Sequence, residues 1–196
     1  MSPERNLDCI VGVGGSGKTS LSRAVAESTN AEYISASGIL KKYYNVPRSV
    51  DLEKFSQEEL NLKFIELLLD LVDENPDKRF LLDTHAIVFR DDGTTDETFP
   101  SELYPYMKAI IDVISDPQDI SRRVTADNNN GVRERKLLSP EQLLQRINKS
   151  SQRAIEIGRE GNFPYYWLEN NRDLNLVLTA LLEYYVNGSD RLLKRK

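Results

Sequence analysis

Apolar residues in this chain follow two rhythms. Short unbroken runs bounded by turn residues alternate with stretches in which apolar positions recur every three or four residues, the patterns of buried strands and of amphipathic helices. Leu7, Cys9, Ile10 and Val11 form the first run, and from Thr19 onward Leu21, Ala24 and Val25 repeat at helical spacing. Ala31 to Ser35 (AEYIS) reads as a second strand, followed by a helix through Ile39, Leu40, Tyr43 and Tyr44 that breaks at Asn45-Val46-Pro47. Ser56-Gln57-Glu58-Glu59 has the form of a capping box, and Leu60, Phe64, Leu67, Leu68 and Leu71 make an apolar stripe. That helix is predicted to run to about Glu74, where Asn75-Pro76 stops it. Arg79 to Asp83 (RFLLD) is a third strand, followed by a polar loop over 90–100. A fourth strand covers 109–115 (AIIDVIS), and Asp116-Pro117 opens a helix with proline at its first position. Ser139-Pro140-Glu141-Gln142 caps another helix. A fifth strand near 163–168 and a terminal helix carrying Leu174, Leu178, Leu181 and Tyr185 complete the pattern. Strand and helix alternate throughout, which predicts an α/β fold of three layers: a five-stranded parallel sheet with helices on both faces and ligands at the carboxyl ends of the strands.

Chemistry enters at the first strand-to-helix turn. Gly12-Val13-Gly14-Gly15-Ser16-Gly17-Lys18-Thr19 matches GxxxxGK[ST] in full, between a strand and a helix as the motif requires. Glycines let backbone N–H groups wrap an anion without Cβ clashes, and the first helical turn adds unpaired donors and the positive end of its dipole. Gly12, Gly14, Gly15, Ser16, Gly17, Lys18, Thr19 and Ser20 are therefore the expected nucleotide-binding residues. Lys18 would reach the β- and γ-phosphates, and the Thr19 hydroxyl would ligand Mg²⁺. The fold expected is accordingly the P-loop NTPase architecture.

Composition narrows the class. At 196 residues, 39% hydrophobic and 29% charged, the chain fits one globular domain with a substantial core. No apolar stretch approaches the ~18 residues a membrane span needs, and the first seven residues lack a secretory apolar region, so a cytoplasmic location with no membrane partner is expected. Cys9 is the only cysteine, which excludes an internal disulfide or a cysteine metal cluster and suits a small buried hydrophobe. A net charge of −5 argues against a general nucleic-acid binder.

Two further stretches carry charge to the loop. Phe80-Leu81-Leu82-Asp83 delivers a carboxylate to a strand end, the Walker B position, from which Asp83 could hold the Mg²⁺ shell beside Thr19; the alternative is a strand-terminal Asp that caps a turn. Thr84-His85-Ala86 follows, and His85, the only histidine, reads as either a ligand contact or a packed, hydrogen-bonded side chain. Arg122, Arg123, Arg133, Arg135 and Lys136, against Asp127 and Glu134, give net +3 in an acidic protein. Asp127-Asn128-Asn129-Asn130-Gly131 between them reads as a flexible polar linker on which the arginines could swing as a lid over 123–138; a solvated basic loop is the alternative.

These patches resemble nucleoside monophosphate kinases, most closely archaeal-type adenylate kinases. Ile34-Ser35-Ala36-Ser37-Gly38-Ile39-Leu40-Lys41 is similar to their ISxGDxLR acceptor segment, Asp83-Thr84-His85-Ala86 to their DTHA segment, and Asp116-Pro117, Arg122-Arg123 and Arg133-Glu134-Arg135 to their helix, lid and RxR pattern. The resemblance implies a single kinase domain over 1–196 with an acceptor-nucleotide insertion at 36–75. It also implies catalytic roles for Lys18, Asp83, Arg133 and Arg135, with Arg123 or its neighbour Arg122 near the donor adenine. Acceptor contacts would come from Gly38, Lys41, Arg48, His85 and Arg90. Ser37-Gly38 and Lys41 depart from the family pattern, because Lys lacks the bidentate fork of Arg, and Arg48 and Arg90 are the candidates to supply it.

A monophosphate acceptor presents an anionic oxygen near neutral pH and needs no general base, whereas a hydroxyl acceptor would want a carboxylate, for which Asp51, Asp91 and Asp92 are candidates without a motif. The expectation is Mg²⁺-dependent transfer of the ATP γ-phosphate to a nucleoside monophosphate, AMP first. The alternatives are a kinase of a small-molecule or polynucleotide 5′-hydroxyl and a nucleotide-dependent assembly factor.

Overall fold

The computed structural model describes residues 5–90, 93–97, 99–130, 135–171, 174–187 and 194–195. Its strands are β1 (Leu7–Val11), β2 (Ala31–Ser35), β3 (Arg79–Asp83), β4 (Val88–Phe89), β5 (Thr95–Asp96), β6 (Met107–Ile114), β7 (Tyr165–Glu169) and β8 (Lys194–Arg195). Its helices are α1 (Lys18–Ser28), α2 (Ala36–Tyr44), α3 (Gln57–Asp73), α4 (Pro117–Asn129), α5 (Pro140–Gly161) and α6 (Leu174–Asn187), with a 3₁₀ turn at Ser49–Lys54.

The main sheet has the order β2-β3-β1-β6-β7-β8, in which the first five strands are parallel, as the alternation of strand and helix requires. The period of two divides their side chains between two cores. Leu7, Cys9, Val11, Phe80 and Leu82 pack toward α3 and α5, while Ile10, Leu81, Ala109, Ile111 and Val113 pack toward α1 and α6. Cys9 is fully buried and burial pushes its thiol up, in keeping with a packed hydrophobe.

Differences from the sequence reading are local. β8 adds a two-residue antiparallel strand beside β7, and the loop over 90–100 contains the second strand of a small hairpin, β4 with β5, turned at Gly93, where φ is +89°. Ser56 caps α3 by accepting from the Glu59 N–H, but the Glu59 carboxylate accepts instead from the Tyr44 hydroxyl, tying α3 to α2. Ser139 and Gln142 do form a reciprocal capping box at the start of α5.

The expected linker at Asp127-Asn128-Asn129-Asn130-Gly131 is helical over its first three residues, and Gly131 lies outside the described residues. α4, started by Asp116 accepting from the Gln118 N–H, continues through Asn129 and ends at Asn130. Ile120 and Val124 on its buried face pack against Val13, Leu143 and Ile147, and that packing outweighs the weak helix propensity of asparagine. The span proposed as a lid, 123–138, therefore begins inside a helix.

Candidate active site

The glycine loop hangs between β1 and α1 with its carbonyls turned onto the scaffold. Lys18 Nζ donates to the Gly12 and Val13 carbonyls at 2.8 and 3.2 Å, and His85 Nδ1 lies 3.0 Å from Gly12 O. Because a carbonyl only accepts, this contact places the proton on Nδ1. Beneath the loop, Arg123 donates to the Gly15 and Ser16 carbonyls, to Ser115 Oγ and to the Asn170 carbonyl. Asn170 Nδ2 and Ser115 Oγ also donate to Ser16 O, at 2.7 and 3.0 Å. In a trans peptide the N–H points opposite to the carbonyl, so a loop whose carbonyls face the scaffold aims N–H groups the other way. Gly12 and Gly17 have φ of +139° and +94°; a Cβ on Gly12 would lie 2.5 Å from Val113 O, and one on Gly17 2.3 Å from Asn170 Nδ2. The loop thus presses so closely on β6 and on the segment after β7 that only glycine fits at either position.

At the mouth, Thr19 Oγ1 donates to Asp83 Oδ2 at 2.6 Å and the Tyr33 hydroxyl donates to the same oxygen at 3.2 Å. The hydroxyl of α1 and the carboxylate of β3 are therefore together, the oxygen donor set that suits Mg²⁺. Above the loop lies Arg135: a Cβ built on Gly14 would be 3.8 Å from its Nε and 3.9 Å from its Cζ. Its guanidinium pairs with Asp127 at 3.4 Å, and its backbone is clamped by Asn128, which accepts from the Arg135 N–H at 3.0 Å and donates to the Arg135 carbonyl at 2.8 Å. Arg133 lies outside the described residues, as do Asp91 and Asp92.

The remaining predicted residues spread out. Ser16 is buried and Ser20 is exposed in the first turn of α1. Arg122 is exposed and paired with Asp119. Gly38 donates its N–H to Ser35 Oγ, the N-cap of α2. Lys41 is half-buried in the last turn of α2. Arg48 holds Asp51 through Nη2 and Nε, which keeps the Asp51 carboxyl below the usual carboxylate range. Arg90, exposed, donates to Gln57 Oε1 at 3.0 Å. Gly38, Lys41, Arg48 and Arg90 thus lie on or against the 36–75 insertion, whereas His85 faces the glycine loop. Tyr33, Ser115, Asn128 and Asn170 belong to the site and no motif marked them, because their contacts close only when β2, β6, α4 and the segment after β7 meet.

The sequence matches, over residues 11–154, the family described as an AAA domain, and the chain belongs to that family. Its fold is that of the P-loop kinases. Shikimate kinase from Acinetobacter baumannii, solved with shikimate, is 17% identical with a TM-score of 0.60, the alignment covering 94% of each chain. Shikimate kinase from Bacteroides thetaiotaomicron is 12% identical at 0.59, over 90% of this chain and 94% of its own. A gluconokinase from Sinorhizobium meliloti is 13% identical at 0.52, over 97% and 96%. No curated protein matches the sequence. No helix among the described residues is long and apolar enough to cross a membrane.

Proposed function

We propose that this chain transfers the γ-phosphoryl group of ATP to a nucleoside monophosphate, AMP in the first instance. The observation that supports the reading is the engagement of two carboxylates among the described residues. Asp83, the acid delivered to the strand ends, has one oxygen engaged by both Thr19 and Tyr33, and Asp51 is paired with Arg48. An acceptor that brings its own anionic oxygen needs no base from the protein. In this reading the loop N–H groups and Lys18 bind the donor phosphates, and Arg135, with Arg133, neutralises charge on the transferring group. Thr19 and Asp83 would hold Mg²⁺, which would supply positive charge to offset that of the donor phosphates. The insertion at 36–75 would hold the acceptor, with Lys41 and Arg90 toward its phosphate.

A second reading is favoured by the fold's neighbours, which are named for kinases of shikimate and gluconate, small molecules phosphorylated on a hydroxyl. One assay separates the two. Turnover of ATP with Mg²⁺ is measured against AMP, CMP, GMP and UMP, against shikimate and gluconate, and against nucleosides and 5′-hydroxyl oligonucleotides. ADP formation with AMP fastest supports the first reading. Turnover with a hydroxyl substrate and none with any monophosphate overturns it.

A further inference from the structure

Asp83 meets its neighbours with one of its two oxygens. Oδ2 accepts from Thr19 Oγ1 at 2.6 Å and from the Tyr33 hydroxyl at 3.2 Å, and among the described residues Oδ1 accepts nothing. Thr19, whose proton goes to Asp83, keeps its oxygen lone pairs for a cation. The second donor comes from β2. Alternation puts Tyr33 on the same face of the sheet as Ala31 and Leu81, the face that packs toward α1, and the ladder sets Tyr33 beside Leu81 and Ser35 beside Asp83. The ring therefore reaches two residues along the sheet to bring its hydroxyl to the carboxylate. Arg23 of α1 lies over that ring, with its Cζ 5.5 Å from the centroid. A phenylalanine would pack as well beneath Arg23, so packing does not account for the hydroxyl. Its partner, Asp83, is only 8% exposed.

We propose that Tyr33 is a positioning residue for Asp83 and sets the cation preference of this corner. The hydroxyls of Tyr33 and Thr19, one from β2 and one from α1, together commit Oδ2, which leaves Oδ1 in one fixed place. The proposal rests on the reading of the loop as a nucleotide site whose Mg²⁺ is held by Thr19 and Asp83. A carboxylate tied by Thr19 alone can swing about its Cβ–Cγ bond and offer either oxygen or both. Tied by two donors from different elements, it swings only by giving one of them up. Mg²⁺ demands near-ideal octahedral geometry, whereas Ca²⁺ accepts more oxygens in looser arrangements. A fixed Oδ1 therefore favours the smaller cation, and a swinging carboxylate loses that advantage. Hydrogen-bond partners of ligating groups are worth roughly 10- to 100-fold in metal affinity, so the single Tyr33 hydroxyl should have a measurable effect.

The test uses the full chain and ADP, titrated calorimetrically with a chelator and no divalent cation, with Mg²⁺, and with Ca²⁺. Tyr33→Phe should bind ADP alone as wild type does. The gain in ADP affinity that Mg²⁺ brings should fall roughly tenfold or more in this variant, and the gain that Ca²⁺ brings should fall less. Because Tyr33 acts through Asp83, Tyr33→Phe should change nothing further in an Asp83→Asn background. A Mg²⁺-linked gain equal to that of wild type overturns the proposal. So does an equal loss with both cations or with none, which a purely structural tyrosine would give, and so do additive effects in the double variant. If Tyr33→Phe does not fold, Tyr33→Leu, which also lacks the hydroxyl, decides by the same measurements. ADP binding that Mg²⁺ does not strengthen in wild type overturns the proposal while the nucleotide site stands. Failure of wild type to bind ADP under any of the three conditions overturns the nucleotide reading, and the proposal with it.

Discussion

Arg135 and Lys18 show how much depends on a single side chain's place over the loop. Lys18 is buried against loop carbonyls, and the Arg135 guanidinium lies over Gly14. Interactions that strengthen only as charge spreads onto the transferring group affect kcat more than binding. Arg135→Ala should therefore lower kcat by roughly 10³, as arginine fingers do, while ATP affinity changes little. Lys18→Ala should abolish turnover with an unchanged melting temperature. Steady-state kinetics beside calorimetric ATP binding and a thermal melt read both; an unchanged kcat in Arg135→Ala would reduce the basic stretch to a solvated loop.

At the scale of elements, α4 supports the site through its last turn. Asp127 and Asn128 hold the side chain and backbone of Arg135, so the asparagine run read as a hinge is a clamp built on a helix end. Two hydrogen bonds at about 1 kcal/mol each fix that backbone. Asn128→Ala should then lower kcat about tenfold or more with nucleotide binding and melting temperature nearly unchanged; a kcat equal to wild type would show that Arg135 finds its place without the clamp. The sequence pattern could not reveal this. Asp and Asn compete with helix formation, and local propensity favours a turn at Asp127-Asn128-Asn129. What prevails is the burial of Ile120 and Val124 against α5 and the loop, a contact between segments far apart in the chain. His85 was legible as hydrogen-bonded or ligand-contacting, and its position on Gly12 O required β3 and β1 to be neighbours.

For the whole molecule, the end of the sheet opposite the loop carries a buried polar cluster joining the beginning of the described chain to its last long helix. Asp8, fully buried, accepts from Arg79 Nε and from the Tyr184 hydroxyl, both at 2.8 Å. Arg79 donates to the Tyr185 carbonyl at 3.1 Å and stacks over the Tyr184 and Tyr185 rings. Removing one partner leaves a buried charge alone, which costs more than the pair contributes. Arg79→Ala should destabilise the fold by about 3 kcal/mol in urea unfolding with an unchanged m-value. A loss below about 1 kcal/mol would mean that water reaches Asp8 and that the cluster does not anchor α6.

The sequence by itself determined the order of the five parallel strands and the long helices, the helix starts at Asp116-Pro117 and Ser139-Pro140, and the nucleotide loop, because each is written in contiguous residues whose spacing carries the physical signal. It also brought forward Thr19 and Asp83, whose separate motifs predict one metal-binding corner. Only the tertiary structure decided which groups brace that corner, the loop and Arg135. Tyr33 reaches Asp83, Ser115 and Asn170 reach Ser16 O, and Asn128 holds the Arg135 backbone, through side-chain hydrogen bonds between separate segments with no periodicity to announce them. The same holds for Arg123, which the resemblance placed near the donor base and which here braces the loop from beneath. Its guanidinium reaches the loop, Ser115 and Asn170 together only once β6, α4 and the segment after β7 have packed.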